Sequence, residues 1–400
     1  MKLIQDLVVE GNLIKVTPFP FLIDQGWLKG DFWFEYPIDI EEVPKEILLI
    51  PFYSVVIPIT WVTGMYYDVD EMDDDFRLGL DKIKSVFKEM YPIIKWNGKV
   101  ETKESIKNSS AKDGAGLLFG GGVDSVKSLV DHQSEELVLF CNGGNNIASY
   151  NIGGWGRVKD KLKATADAFS KEVYFVNSNF IDNVNRPKLN EFGPSWFKWW
   201  PRVMHAVALL GVPAPIVWKL GLKTLYIAST HTPDLKLAWG SDPEIDEKFS
   251  MAGLKVIHDS YNSGRQSKVK TILDDDKKVS LYVCYWDREG KGSNCDCCEK
   301  CMTLGAGVVI EGGDPRDWGM NISPEEVLKR VRWGWDWKGP GQNFAVGESE
   351  LFVWEDIRAR ALANESSISI LKKNKDFMDW FRDLDFKNYK KPEFSNTAPW

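Results

Sequence analysis

The chain has 400 residues, 44% hydrophobic and 27% charged, which is enough apolar material for a full core and carries no compositional sign of disorder. Its formal net charge of -8 argues against a surface built for nonspecific nucleic-acid binding, which needs clustered Lys and Arg, and points instead to a small-molecule substrate. At roughly 150 residues per domain the length predicts two or three folding units, and the pattern divides the chain at 1–105, 106–310 and 311–400.

The opening Met1-Lys2-Leu3-Ile4-Gln5-Asp6 acquires charge too early for a secretory signal. Segment 46–62 is apolar, but Pro51 and Pro58 interrupt it, and its β-branched and aromatic residues predict buried strands rather than a membrane span. The six cysteines do not resemble a secreted disulfide scaffold, so the expected location is the cytoplasm. Residues 1–105 read as a β-rich α+β unit with a further strand candidate at 32–39. A helix over 76–91 places Leu80, Ile83, Phe87 and Met90 on one face. The acidic run Asp68, Asp70, Glu71, Asp73, Asp74 and Asp75 suits that helix's N-terminus, and it lacks the glycine and final glutamate of a calcium loop.

From 112 to about 310, short apolar runs at 116–119, 137–141, 173–176 and 224–228 alternate with helical stretches near 125–132, 156–170 and 202–211. This alternation predicts an α/β fold with a parallel sheet covered on both faces. Ligands bind beyond the carboxyl ends of such strands, so the loops beginning near 120, 142, 177 and 229 are expected to converge. After 311, a tryptophan-rich stretch at 332–337 precedes helices near 350–363 and 366–383, and the region reads as a helical packing appendage.

Residues 119–125 (Phe-Gly-Gly-Gly-Val-Asp-Ser) follow one strand candidate and open a helix. Gly120, Gly121 and Gly122 let main-chain N–H groups approach an anion, and the helix start adds donors and a favourable dipole. Ser125 supplies a hydroxyl for a phosphate oxygen. Asp124 is suited to holding the loop or to placing a Mg2+ ion that bridges phosphates. This is neither a Walker loop nor a dinucleotide fingerprint.

Downstream, Cys295, Cys298 and Cys301 follow a C-x-x-C-x-x-C spacing, with Cys284 at the end of an apolar segment. Four thiolates so placed close a structural Zn2+ site, leaving Cys297 pointing away and Cys141 as a small buried residue. Redox chemistry at Cys297-Cys298 and an iron–sulfur cluster are the competing readings.

The glycine loop resembles the Ser-Gly-Gly-x-Asp-Ser loop of the PP-loop N-type ATP pyrophosphatases. With the cysteine cluster some 160 residues later, the chain is similar to the QueC-like, 7-cyano-7-deazaguanine synthase branch of that family over about 115–310. Pro201-Arg202, Pro233-Asp234 and Ser267-Lys268 stand in the family's expected order between the two landmarks. The resemblance implies a PP-loop, HUP-like domain that uses ATP, Mg2+ and Zn2+. In such enzymes a 7-deazaguanine carboxylate is activated as an acyl-adenylate, and a nitrogen nucleophile then attacks it. Asp124, Ser125, Arg202 and Lys268 take catalytic roles by this resemblance, and His231, Asp234 and Arg202 take substrate roles.

Several positions depart from the family pattern. Gly120 replaces the first serine, Val203 an asparagine, Leu235-Lys236 a Cys-Arg pair and Leu304 an arginine, while the loop at 141–156 lacks Gln-x-His. Insertion 238–250 brings Asp242 and Asp246 as candidate polar contacts. Trp196, Phe197, Trp199 and Trp200 are candidates to stack on a purine-like ring. Ammonia as nucleophile would lead to a nitrile, whereas a protein amine, reached through the added N- and C-terminal regions, would give a conjugate. Two alternatives remain open at this point. One is a tRNA-modifying PP-loop enzyme, which the acidic balance disfavours. The other is a catalytically weakened nucleotide-binding zinc module of a defence-type system, which Gly120 motivates.

Overall fold

The computed structural model describes residues 1–109, 113–144, 147, 149–284, 292–336, 344 and 347–386. Among these residues the strands are β1 (Ile4–Glu10), β2 (Leu13–Pro18), β3 (Phe32–Glu35), β4 (Tyr66–Asp73), β5 (Lys99–Ile106), β6 (Ala115–Leu118), β7 (Leu137–Asn142), β8 (Glu172–Ser178), β9 (Thr224–Ala228) and β10 (Lys255–Asp259). Eight of them form one sheet in the order β1-β2-β3-β8-β7-β6-β9-β10, and β4 and β5 pair separately. The strands from β8 to β10 are mutually parallel, whereas β1, β2 and β3 join antiparallel along the β8 edge. The protein is therefore mixed α/β with a mostly parallel central sheet.

The period-2 alternation of a strand explains why both faces are covered. On β7, Leu139 enters one apolar cluster with Leu129, Val158, Val269 and Val308, and the next residue, Phe140, enters another with Val55, Val207 and Leu225. The strands 116–119, 137–141, 173–176 and 224–228 are present within a residue or two of expectation. Helices Val123–Asp131 and Ile152–Ala168 lie between them in the chain. β10 carries no equally apolar run and was not anticipated.

Segment 46–62 departs from expectation, because Lys45–Leu48 and Ile50–Thr63 are helical. Pro51 is tolerated in the first helical turn, where its missing N–H costs little, and Pro58 lies inside the helix. Every residue from Ile50 to Val62 is buried, so no polar face gave the helix away. The helix lies close against His205–Gly211, where a Cβ on Gly211 would fall 2.2 Å from Ser54 Oγ. The 76–91 helix occurs as Asp74–Met90, capped by the Asp73 carboxylate accepting from Phe76 N at 2.9 Å.

Neither boundary at 105 nor that at 311 is a break in packing. Leu3, Ile14 and Phe34 share a core cluster with Phe140 and Val176, and Trp354, Ile357 and Phe381 share the other with Leu117 and Leu139. Strands β1, β2 and β3 of residues 1–105 extend the central sheet, because the β8 edge needs a hydrogen-bonding neighbour and β3 supplies it. The 332–337 stretch falls partly in helix Pro324–Asp336; Trp337 and Pro340 lie outside the described residues. Among the described residues one helical run, Trp200–Lys219, is long and apolar enough to span a bilayer by length and composition, and 72% of its most apolar window is buried within the fold.

Candidate functional site

β6 ends at Leu118, Phe119 N donates to Phe140 O at 2.7 Å, and the chain turns through Gly120, Gly121 and Gly122 into helix Val123–Asp131. Gly121 has φ 70°, in the left-handed region, and a Cβ there would fall 2.3 Å from Leu162 Cδ2. Gly120 and Gly122 face open space where a Cβ would stand. This bare loop forms one wall of a cavity of about 310 Å³ that Ser125, Asn142, Gly143, His231 and Lys300 also line. The loops after β6, β7 and β9 thus converge as expected. The loop after β8 does not line the cavity; the link from that strand is Asn177, its next-to-last residue, whose Oδ1 accepts from the cavity-lining Trp155 Nε1 at 2.5 Å.

Asp124 is bound by two cations: Arg265 Nη1 lies 3.2 Å from both of its oxygens, and Lys268 Nζ lies 3.0 Å from Oδ1. Lys268, fully buried, also donates to Ser229 O after β9. Burial pushes the Asp124 carboxyl up, but Lys268 and Arg265 outweigh it and hold the group down at about 2. Asp124 is therefore an anionic pin tying the glycine loop to helix Arg265–Asp274. Ser125 Oγ points back to Gly122 O at 3.3 Å.

The four thiols Cys284, Cys295, Cys298 and Cys301 have all their sulfurs within 4.8 Å of one another, and Cys295 and Cys301 are 3.8 Å apart. A tetrahedral ion with Zn–S bonds of about 2.3 Å needs sulfurs roughly 3.8 Å apart, so the donor set fits such a metal. Cys141 is buried, as expected; Cys297 is exposed but does not point clear of the cluster, its Sγ lying 3.6 Å from Cys295 Sγ, although it is not one of the four grouped thiols. Backbone bonds assist: Cys298 N donates to Cys295 Sγ at 3.2 Å, and Asn294 bridges Val283 N, Leu281 O and Gly319 O. Tyr282 N donates to Gly121 O at 3.1 Å, so the segment leading into the knuckle holds the glycine loop directly. The knuckle also starts helix Glu299–Ile310, which places Lys300 in the cavity wall between Cys298 and Cys301.

Of the other expected residues, His231 reaches the cavity. Its Nε2 lies 2.7 Å from Ser349 Oγ on helix Glu348–Asn364, and burial pushes its pKa down. Arg202 and Asp234 do not line it. Arg202 sits on a π-helical turn, donates to Ala238 O at 2.9 Å and lies 4.8 Å over the Trp196 ring. Asp234 is exposed and accepts from Thr232 Oγ1 at 3.3 Å. Lys268 acts through Asp124 and Ser229, not from the wall. In the insertion, Asp242 caps helix Pro243–Asp246 and Asp246 pairs with His258 Nδ1 at 2.7 Å, while their neighbours Trp239 and Ser241 line the cavity. Phe197 and Trp199 are core residues, and the tryptophans in the wall are Trp155 and Trp239, beside Phe119, Phe140 and Tyr282.

Sequence reasoning missed Arg265, Lys300, Asn142 and His205. Three of these belong to no spaced motif. Lys300 was legible in principle, because any residue between the last two cysteines must lie beside the metal knuckle.

No family model, curated protein or solved structure matches the chain. The functional reading rests on this geometry and on the motifs that build it.

Proposed function

We propose that the protein is an ATP-dependent adenylating enzyme of the PP-loop kind, which activates the carboxylate of a 7-deazaguanine-type compound for attack by a nitrogen nucleophile. The observation that carries the reading is one cavity walled by a bare glycine loop at a helix start, by Arg265 and by Lys300 of the thiol knuckle. Main-chain N–H groups at Gly120–Ser125 would bind the β- and γ-phosphates, and Arg265 and Lys300 would balance charge growing on departing pyrophosphate. The carboxylate oxygen would attack the α-phosphorus, and the nucleophile's nitrogen would then attack the acyl carbon and release AMP. His231, kept neutral by its burial, is suited to take the proton that the nitrogen loses. Cys284, Cys295, Cys298 and Cys301 would hold Zn2+, which would brace the knuckle, and Mg2+ entering with ATP would neutralise phosphate charge. With Asp124 already paired to two cations, its contribution is to fix the loop.

Incubation with ATP, Mg2+, Zn2+ and 7-carboxy-7-deazaguanine should release pyrophosphate, and Asp124→Ala should abolish the release. Absence of release under those conditions would overturn the reading. A second reading, a nucleotide-binding zinc module without turnover, draws support from Gly120 and from the engaged state of Asp124. Calorimetric ATP binding without pyrophosphate release would favour it.

A further inference from the structure

The cavity lining combines two kinds of chemistry. The glycine loop, Arg265 and Lys300 bring N–H donors and positive charge, while Leu209, Ile227, Trp155 and Trp239 bring apolar and aromatic surface. Two of the lining residues keep a buried polar atom with no hydrogen-bond partner: Asn142 Oδ1 and His205 Nδ1. Buried polar groups are rarely left unpaired, and such an orphan in a cavity wall marks a place where a ligand supplies the partner.

The two residues are tied together. Asn142, at the last position of β7, donates its Nδ2 to Leu209 O at 3.0 Å, and Leu209 lies one helical turn after His205 on helix His205–Gly211. That bond fixes the amide's orientation, so the unpaired atom of Asn142 is an acceptor and requires a donor. The His205 ring is held edge-on to Trp200 at 5.2 Å, which restricts its rotation.

We infer that Asn142 and His205 form a specificity-determining wall that reads the amino-bearing edge of a purine-type ring whose phosphate-bearing or activated end lies at the glycine loop. The wall supplies an amide oxygen for an exocyclic amine and an imidazole nitrogen for the adjacent ring nitrogen, between apolar surfaces that suit a planar heterocycle. The inference deepens the proposed function and rests on that reading for the placement of phosphates. The same edge chemistry belongs to the adenine of ATP and to the pyrimidine ring of a deazaguanine.

The test is calorimetry on the full chain with two analogue pairs. One pair is ATP and purine riboside triphosphate, which lacks the 6-amino group; the other is 7-carboxy-7-deazaguanine and its analogue without the 2-amino group. Loss of the amine is expected to weaken binding about tenfold within one pair, which identifies the ring that is read. Asn142→Leu and His205→Phe should each bring that ratio close to one while leaving inorganic tripolyphosphate binding unchanged. Equal affinity within both pairs for the wild-type protein would overturn the inference, and that measurement needs no variant to fold. A ratio that persists in both folded variants would overturn it as well. Amine discrimination without pyrophosphate release would sustain the wall and remove the adenylation reading, whereas release without discrimination would do the reverse.

Discussion

Asp124 and His205 show how single charges are tuned around the cavity. Burial and the neighbouring Lys300 push the His205 imidazole from its usual 6.5 down to about 4. The unfolded chain therefore binds this proton at a higher pH than the folded chain does. Stability is complete above the unfolded pKa, falls as pH drops from about 6.5 towards 4, and levels off below. The loss should be on the order of 3 kcal/mol, seen as a falling melting temperature over that window that His205→Phe flattens. Asp124, a depressed acid, acts in the same direction at lower pH: its contribution is present above about 3.8 and is lost as pH falls through about 2. Replacing it by Ala strands the fully buried Lys268, and a destabilisation of about 3 kcal/mol in urea titration is expected. The Asp124 carboxylate stood out in the sequence because it follows three glycines. His205 did not, because its environment is made by helix contacts far from it in sequence.

At the scale of elements, the thiol knuckle and the paired helices carry distinct expectations. Cys298→Ser should lower bound zinc well below one equivalent per chain, whereas Cys297→Ser should leave it unchanged, as read by metal analysis of purified protein. Because Tyr282 N holds Gly121 O and Lys300 sits between two ligands, chelation should also weaken triphosphate binding, not only lower the melting temperature. The cysteine spacing made the knuckle visible in advance; its junction with the glycine loop was not, since that bond joins residues 161 positions apart and follows no local pattern. At the contact between helices Ile50–Thr63 and His205–Gly211, Gly211→Ala would drive a methyl onto Ser54 and Ile50 O. A loss of about 1–3 kcal/mol is expected from this overpacking. Segment 46–62 was misread as strands for a physical reason: a helix buried on every side shows no 3.6-residue polarity, and β-branched residues then mimic a buried strand.

On the scale of the whole molecule, the central sheet binds the three sequence regions into one packing unit. Removing residues 348–400 would strip Trp354, Ile357 and Phe381 from the core that also holds Leu117 and Leu139, and would take Ser349 from His231. The truncated chain should aggregate or lose its cooperative melting transition in calorimetry, whereas an independent appendage would leave that transition intact. What the sequence by itself determined was local: the glycine loop, the four cysteines, the parallel strands and the Asp74–Met90 helix, each encoded by spacing or by period within a few residues. Only the tertiary structure decided that β3 closes the β8 edge, that Arg265 and Lys300 meet the loop while Arg202 and Asp234 stay out of the cavity, and that His205 and Asn142 share a wall. These outcomes depend on which surfaces bury one another across long separations, and no short window of residues contains that information.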